Sequence, residues 1–352
     1  MDADTELLCT LMPSFWWFRE SHYIAGDKLR IHATVVARGD CGPDKVTCYI
    51  NGSEVTPVRK TSSAYADRCF WFLPEENRFG LTFEQPYLPG TTFSVATVSP
   101  AKDAPEYRSG QFISWERIEP TPPIQNIERV SGKGATAYSY HNNGLTDFLR
   151  FSGIARANGI ECRAPDVTVL DWGCGCGRLT RHLLDNADDP ANVHGIDIDP
   201  DNIKWCKHNL AEGSFDHVGL YPPTELESQS FDLIIANSVL SHLKLDAMHS
   251  WLEEVARLLK PNGLALLSYH GDFSLAAMAS RSAEFLKKTI DTGFNSSLGA
   301  NELTNFISDP EYYRQTFMTD ARARRIFNDY LNIEDVKLGI VSRYQNVAAL
   351  RK

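Results

Sequence analysis

The sequence predicts a chain of two parts, an antiparallel β module followed by an α/β domain built on a parallel sheet. Three observations carry this. Between residues 28 and 98, short runs rich in Val, Ile, Thr, Phe and Trp are punctuated by Gly, Pro, Asn and Asp clusters. From about residue 144 onward, apolar runs alternate with amphipathic helical stretches, the pattern of a parallel sheet covered by helices. The length of 352 residues exceeds what one hydrophobic core usually organises, about 250–300 residues.

In the β module the strand-like runs are residues 28–38, 46–50, 69–73, 80–84 and 91–98. Gly39-Asp40, Gly42-Pro43-Asp44, Asn51-Gly52 and Pro89-Gly90 separate them. Asn51-Gly52 is a hairpin signal, because a type I′ turn needs positive φ at both central residues. A β-sandwich-like domain over residues 1–118 is the economical reading. Phe15-Trp16-Trp17-Phe18 and Cys69-Phe70-Trp71-Phe72 read as core or domain-interface aromatics, with a sugar-stacking platform or a homo-oligomer contact as competing uses. Pro120-Thr121-Pro122-Pro123 cannot continue a helix or a central strand, so residues 119–128 read as a stiff linker and 129–352 as the second domain.

In that domain the strand-like runs are residues 167–170, 193–196, 232–236 and 264–269. Met248, Trp251, Leu252, Val255, Leu258 and Leu259 are spaced to line one face of a helix, and Pro261-Asn262-Gly263 stops it.

Composition narrows the partners. With 43% apolar residues the chain reads as soluble and globular. The formal charge of -10 divides into -4 over residues 1–120 and -6 beyond, so neither part is suited to a phosphate backbone and no nucleic acid is expected. No apolar stretch approaches the ~20 residues of a membrane span, so no membrane insertion is expected. The acidic start lacks a cationic region ahead of an apolar one, which makes the cytoplasm the expected location. The eight cysteines form no C-x-x-C pair and read as reduced thiols, with Cys41, Cys48 and Cys69 the only cluster that suggests otherwise.

The chemistry begins at residues 169–178 (VLDWGCGCGR), a strand running into Gly173, Gly175 and Gly177 and then a helix. Glycines let a backbone approach a ligand closely, and free N–H groups at a helix start favour negative or lone-pair-rich groups. A dinucleotide fingerprint from Gly173 or Gly175 would need glycine at position 178 or 180, where Arg178 and Thr180 stand, and the Lys and Ser/Thr of a P-loop are missing. The next strand ends in Gly195-Ile196-Asp197-Ile198-Asp199-Pro200. Asp197 is suited to accept both hydrogen bonds of a ribose diol. Asp199 reads as the N-cap of a helix opened by Pro200, with Ile203, Cys206 and Leu210 on its inner face. A solvated acid pair is the alternative for both.

On these residues, with 231–243 (FDLIIANSVLSHL) and 255–269 (VARLLKPNGLALLSY), the sequence resembles the class I S-adenosylmethionine-dependent methyltransferases. The resemblance covers residues 166–270 well and leaves 1–120 untouched. It implies a Rossmann-like, seven-stranded methyltransferase domain behind the all-β N-terminal domain, with S-adenosyl-L-methionine as cofactor. It further implies that Asp171, Gly173, Cys174, Gly175, Gly177, Asp197, Ile198, Leu220 and Asn237 contact that cofactor, the glycine loop at its methionine end, Asp197 at the ribose and Ile198 at the adenine. Trp205-Cys206, Pro222-Pro223, residues 238–242 and the tail around Tyr312-Tyr313-Arg314 and Gln345 are similar to a subgroup found with glycosyltransferases and surface-polysaccharide synthesis. One departure is the stretch Val218-Gly219-Leu220-Tyr221, where many relatives carry an acid for the adenine amine; Asp216 lies slightly early.

Methyl transfer needs alignment, exclusion of water and, for a hydroxyl acceptor, a base. In open α/β sheets substrates sit beyond the carboxyl ends of the strands. His242 and His270 fall there and are the candidate bases, each with a structural alternative as a loop or strand-end hydrogen bonder. Tyr138, Tyr140 and His141 from one side, and Tyr312, Tyr313 and Arg314 from the other, are candidates to close the pocket or are surface packing. No metal site is expected, since only Asn237 and Asp272 offer oxygen ligands nearby. Arg322, Arg324 and Arg325 read as a solvated helix face or a contact for an anionic substrate. The expected function is transfer of a methyl group to a hydroxyl of a glycan or other hydroxylated acceptor. A small-molecule methyltransferase whose β domain makes a dimer, and a non-catalytic cofactor-binding scaffold, are the alternatives.

Overall fold

The computed structural model describes residues 3–39, 41–86, 95–100, 109–113, 119–278, 283–300, 303, 309, 311–342 and 344–352. The chain divides into two compact units: Met1–Arg117 with Asp272–Leu286, and Ile118–Gly271 with Lys287–Lys352. Asp272–Leu286, read from sequence with the second domain, thus belongs to the first unit.

The first unit holds β1 (Phe15–Ala25), β2 (Lys28–Ala37), β3 (Thr47–Ile50), β4 (Ser53–Val55), β5 (Arg59–Thr61), β6 (Arg78–Pro86), β7 (Val95–Ser99) and β8 (Ser109–Ile113). They make two antiparallel sheets, β1-β2-β6-β5 and β4-β3-β7-β8. Asn51 and Gly52 join β3 to β4 with φ of 50° and 79°, the left-handed values that the hairpin requires. One hydrophobic cluster draws on both sheets, with Trp17, Ile31, Val35 and Phe83 from one and Cys48, Ile50 and Val98 from the other.

This unit also contains helices α1 (Ala3–Thr10) and α2 (Ala64–Cys69). The run 69–73, expected as a strand, is therefore the end of α2 and the turn after it. Ser63 starts that helix by accepting the Ala66 N–H at 3.1 Å. Phe70, Phe72 and Leu73 are buried from a turn, and a short apolar run gives no periodicity to tell the two apart. Of the expected turns and strands, Asp40, Pro89-Gly90 and residues 91–94 lie outside the described residues.

The second unit opens with α3 (Ile124–Ser131) and α4 (Ala137–Ala157). Residues 124–128 of the expected linker are thus helical, with Ile127 buried. Then follow β9 (Val169–Trp172), α5 (Thr180–Asn186), β10 (Val193–Asp197), α6 (Pro200–Asn209), β11 (Ser214–His217), β12 (Phe231–Ala236), α7 (Leu245–Leu258) and β13 (Leu259–Tyr269). Helix α8 (Asp272–Met278) packs in the first unit, where Phe273 meets Trp16 and stacks on Phe70, with ring centroids 5.1 and 5.9 Å apart. The chain continues as α9 (Ala283–Thr292), the antiparallel pair β14 (Phe294–Gly299) and β15 (Arg314–Met318), α10 (Asp320–Asn328), β16 (Asn332–Val341) and β17 (Gln345–Arg351).

Seven of these strands form one mixed sheet in the order β11-β10-β9-β12-β13-β17-β16, a Rossmann-like arrangement. The first five are parallel, and β17 runs antiparallel to both neighbours. Strand order reverses beside β9, with β10 on one flank and β12 on the other, so the loops leaving those strands part and leave a crevice. The central strands are apolar on both faces, as Leu170, Leu233, Ile234, Ile235, Leu266 and Leu267 illustrate. Met248, Trp251, Leu252, Val255 and Leu258 bury the inner face of α7 as their spacing predicts, whereas Leu259, expected on that face, and Pro261-Asn262-Gly263, expected to stop the helix, belong to β13. Among the described residues no helix is long and apolar enough to cross a membrane.

Candidate functional site

A cleft lies at the carboxyl ends of β9, β10 and β12. Its floor is the loop after β9. Gly173 and Gly175 adopt φ of 75° and 55°, and a Cβ on Gly175 would lie 2.6 Å from Val130 Cγ2, while one on Gly173 would collide with Val239. The loop backbone therefore faces the cleft bare, as a close-fitting ligand requires. Asp171, Gly173, Cys174, Gly175, Asp197, Ile198 and Asn237 all line it. Gly177 and Leu220 are not in the lining. Gly177 instead packs against Leu210 and Cys206, and the Leu220 carbonyl accepts the Trp251 Nε1–H at 2.9 Å while Val218 takes the place in the wall.

Asp197 braces the loop: its Oδ2 accepts from Gly175 N at 2.8 Å and its Oδ1 from Asp199 N at 2.8 Å. Burial pushes its carboxyl up to about 6, against the pull of those two amides. Each carboxylate oxygen keeps a second lone pair for a ligand hydroxyl. Asp171 beneath it accepts from Thr180 Oγ1 at 2.6 Å and is likewise raised by burial to about 6. Asp199 caps α6, accepting from the N–H groups of Asp201 and Asn202, and is buried in an ion pair with Arg129 at 2.7 Å.

Asn237 is held from behind. Its Nδ2 donates to Asp147 Oδ2 at 2.8 Å, and Arg178 donates to the same oxygen at 2.9 Å. A carboxylate only accepts, so the amide nitrogen must face Asp147 and the Asn237 Oδ1 turns the other way, where it is buried with no protein partner.

The two candidate bases part company. His242 lines the cleft, in a short 3-10 turn Leu240–His242, with its ring stacked on Tyr313 at 4.3 Å. Its Nδ1 donates to the Arg314 carbonyl at 3.2 Å, leaving the lone pair on Nε2. Burial lowers its imidazole to about 4, so it is neutral at pH 7. His270 is not in the lining. Its Nδ1 donates to the Thr316 carbonyl at 3.1 Å, its Nε2 faces the Gln345 amide at 3.3 Å, and burial lowers it to about 3.

Tyr312 and Tyr313 line the cleft, whereas Arg314 turns to the carbonyls of Ser296 and Ser297. Tyr140 and His141 are buried elsewhere, Tyr140 donating to the Cys176 carbonyl at 2.8 Å, and Tyr138 is exposed. Arg324 and Arg325 lie on the solvated face of α10. Among the described residues no group of three or more His, Cys, Asp or Glu could hold a metal ion. None of the eight cysteines is in a disulfide.

Sequence reasoning missed Arg129, Arg178, Asn202, Val239, Leu243, Trp251 and Leu303 in the lining. Arg129 sits on α3, at the first residue after the stretch read as linker. Trp251 was read as core, and it is: it stacks on Trp172 at 5.0 Å while reaching the cleft and donating to Tyr312 Oη at 3.0 Å.

Residues 170–265 match the family model described as "Methyltransferase domain". A ribosomal protein L11 methyltransferase of Burkholderia mallei is 36% identical over 104 residues, 30% of this chain and 32% of that protein. Its Paraburkholderia phytofirmans counterpart is 33% identical over 128 residues, 36% of this chain and 38% of that protein. The chain thus spans about a third of the length of the curated relatives it matches. Among solved structures, magnesium protoporphyrin IX methyltransferase from Synechocystis is similar at 18% identity and a TM-score of 0.42, over 65% of this chain and 94% of that one. Residues 170–265, within the second unit, thus carry a methyltransferase domain.

Proposed function

We propose that this chain methylates a hydroxyl of a glycan or another hydroxylated acceptor, with His242 as the base, acting in the cytoplasm. The observation that carries the reading is the state of His242: its Nδ1 proton is spent on a backbone carbonyl, which leaves the Nε2 lone pair on a residue in the wall of the cleft that Asp197 and the glycine loop also line.

S-adenosylmethionine supplies an electrophilic methyl group on a sulfonium. The bare loop of Gly173, Cys174 and Gly175 would hold its methionine end, Asp197 would accept from its ribose hydroxyls, and Ile198 and Val218 would hold its adenine. His242 Nε2 takes the proton of the acceptor hydroxyl as that oxygen becomes nucleophilic. Tyr313 keeps the imidazole in one plane, and Val239, Leu243 and Tyr312 exclude water beside it.

A second reading, a small-molecule hydroxyl acceptor, draws on the same apolar and aromatic wall, which offers few polar partners to a sugar. In either reading residues 1–118 form a β-sandwich-like accessory domain, supported by two antiparallel sheets that share one core, with the boundary to the catalytic domain near residue 118. Trp71 is the exposed member of the two aromatic clusters, at 47%, and offers a face to a sugar or to a second copy of the chain.

The test is incubation of the full chain with methyl-tritiated S-adenosylmethionine and separate panels of neutral oligosaccharides, small phenols and alcohols, and ribosomal proteins. Label in an ether on an oligosaccharide is the expected result. Label confined to small phenols or alcohols selects the second reading. Label only on protein or amine, or none in any panel, overturns both.

A further inference from the structure

Ser238, the second residue after β12, lines the cleft with φ of 65°. A non-glycine residue in that region is strained and persists only where its surroundings hold it. Each of its polar groups is held by a side chain. Its N–H donates to Ser268 Oγ at 2.7 Å, its carbonyl accepts from Ser241 Oγ at 2.9 Å, and its Oγ accepts from Gln345 Nε2 at 3.0 Å. Gln345 is the centre of this arrangement. It is 5% exposed at the start of β17, and its Oε1 accepts from Ser268 Oγ at 2.8 Å.

The orientation of the Gln345 amide follows from His270. Since His270 Nδ1 spends its proton on the Thr316 carbonyl, Nε2 carries a lone pair and must face the NH2 end of the carboxamide. That leaves Oε1 for Ser268, and both N–H donors for His270 and Ser238. His270 stays neutral and accepting because burial holds its imidazole near 3. A group expected from sequence as a base thus orients an amide. Four residues beyond Ser238, with the Ser241 hydroxyl tying the turn to the Ser238 carbonyl, stands His242.

We infer that Gln345 is a positioning residue of the methyl-transfer site: its carboxamide, oriented by His270, locks the left-handed Ser238 and through it the turn that presents His242 to the cleft. The last, antiparallel strand of the sheet is thereby wired into the acceptor side of the site. The inference rests on the proposal that His242 serves the reaction, but its test does not use turnover.

The experiment is histidine-ring ¹⁵N NMR on the full chain at pH 7.5, with signals assigned by their loss in His242→Ala and His270→Ala. In the wild type both rings are neutral with the proton on Nδ1. In Gln345→Leu the His242 signals move to the tautomer mixture of an unrestrained imidazole, while affinity for S-adenosylhomocysteine by calorimetry stays within about two-fold, since Asp197 and the glycine loop are untouched. A folded Gln345→Leu protein that binds S-adenosylhomocysteine and keeps the wild-type His242 tautomer overturns the inference. If that variant does not fold, Ser268→Ala decides, because it removes the acceptor of the Ser238 N–H and the partner of Gln345 Oε1; an unmoved His242 there overturns it equally. A chain that methylates no hydroxyl would remove the proposed function and leave this result standing.

Discussion

The imidazole of His242 lies parallel to the phenol ring of Tyr313, with centroids 4.3 Å apart and 5° between the planes. A stacked pair of this kind contributes about 0.5–1.5 kcal/mol beyond its buried area, enough to select one ring plane. Tyr313→Ala should therefore lower kcat for a hydroxyl acceptor by a few-fold to about tenfold, with Tyr313→Phe close to wild type. His242→Ala should cost more, about 10²–10⁴-fold, as loss of a general base does. Initial rates with labelled cofactor check both, and equal losses in the Phe and Ala variants of Tyr313 would show that the hydroxyl, not the stack, matters.

Asp197 sets a pH dependence whose sign is fixed by its environment. Burial raises its carboxyl from the ordinary value to about 6, so ionisation is disfavoured by the fold. The stability associated with this group is fully present below the unfolded value near 4 and is lost as pH rises through about 6. Cofactor affinity runs the other way, since ribose hydroxyls need the charged acceptor. Calorimetry with S-adenosylhomocysteine should find affinity falling several-fold from pH 7.5 to 5.5, with Asp171, raised likewise, broadening the transition. Asp197→Asn should bind weakly and lose most of the slope; a wild-type affinity flat across this range would exclude the ribose role.

Which parts of this site were legible in the sequence follows from the range of the interactions. The glycine loop, the β10 carboxylate and the capping by Asp199 and Pro200 are local, and each residue's type is dictated by backbone conformation within a few positions of itself. They were readable. The run 69–73 was not, because burial from a turn and burial from a strand leave the same composition. Nor was the division of labour between His242 and His270. Both follow parallel strands of the sheet, and what separates them is Gln345, 75 residues beyond His270, and the carbonyls of β15. Arg129 was hidden for a related reason: its partner Asp199 lies 70 residues away, so nothing near Pro123 distinguishes a helix on the site from a linker.

Gly175 offers a sharp test of the cradle. With φ of 55° and 2.6 Å between an added Cβ and Val130 Cγ2, Gly175→Ala meets both backbone strain and a side chain of α3. The loop or α3 must shift, and Gly175 N would leave its 2.8 Å bond to Asp197 Oδ2. The expected outcome is a stability loss of about 1–3 kcal/mol and a fall in S-adenosylhomocysteine affinity of more than tenfold. Gly153→Ala is the control, since a Cβ there meets nothing within 4 Å. Equal behaviour of the two variants in calorimetry and thermal unfolding would mean that the loop does not approach the cofactor.

Asp147 ties Arg178 of the loop after β9 to Asn237 of the loop after β12 and should fail in a distinctive way. Its side chain is 4% exposed, Arg178 and Asn237 converge on Oδ2, and Arg150 lies 3.8 Å from Oδ1. Removing the carboxylate leaves two largely buried guanidinium groups without their counter-charge, which costs about 3–5 kcal/mol where a buried pair is broken. It also frees the Asn237 amide to turn, because only the carboxylate forbids its oxygen from facing inward. Asp147→Asn keeps the shape and one acceptor but presents an NH2 group to Arg178 or to Asn237, so it should fall between wild type and Asp147→Ala. Thermal unfolding should therefore drop by about 5–10 °C in Asp147→Ala and less in Asp147→Asn, with S-adenosylhomocysteine affinity weakened in both. Asn237→Ala separates the two effects. It should cost affinity but little stability, since it removes an unpartnered buried carbonyl along with the bond to Asp147. If Asp147→Ala unfolds at the wild-type temperature, the arginines have found other partners and the carboxylate is not the post on which Asn237 and Arg178 hang.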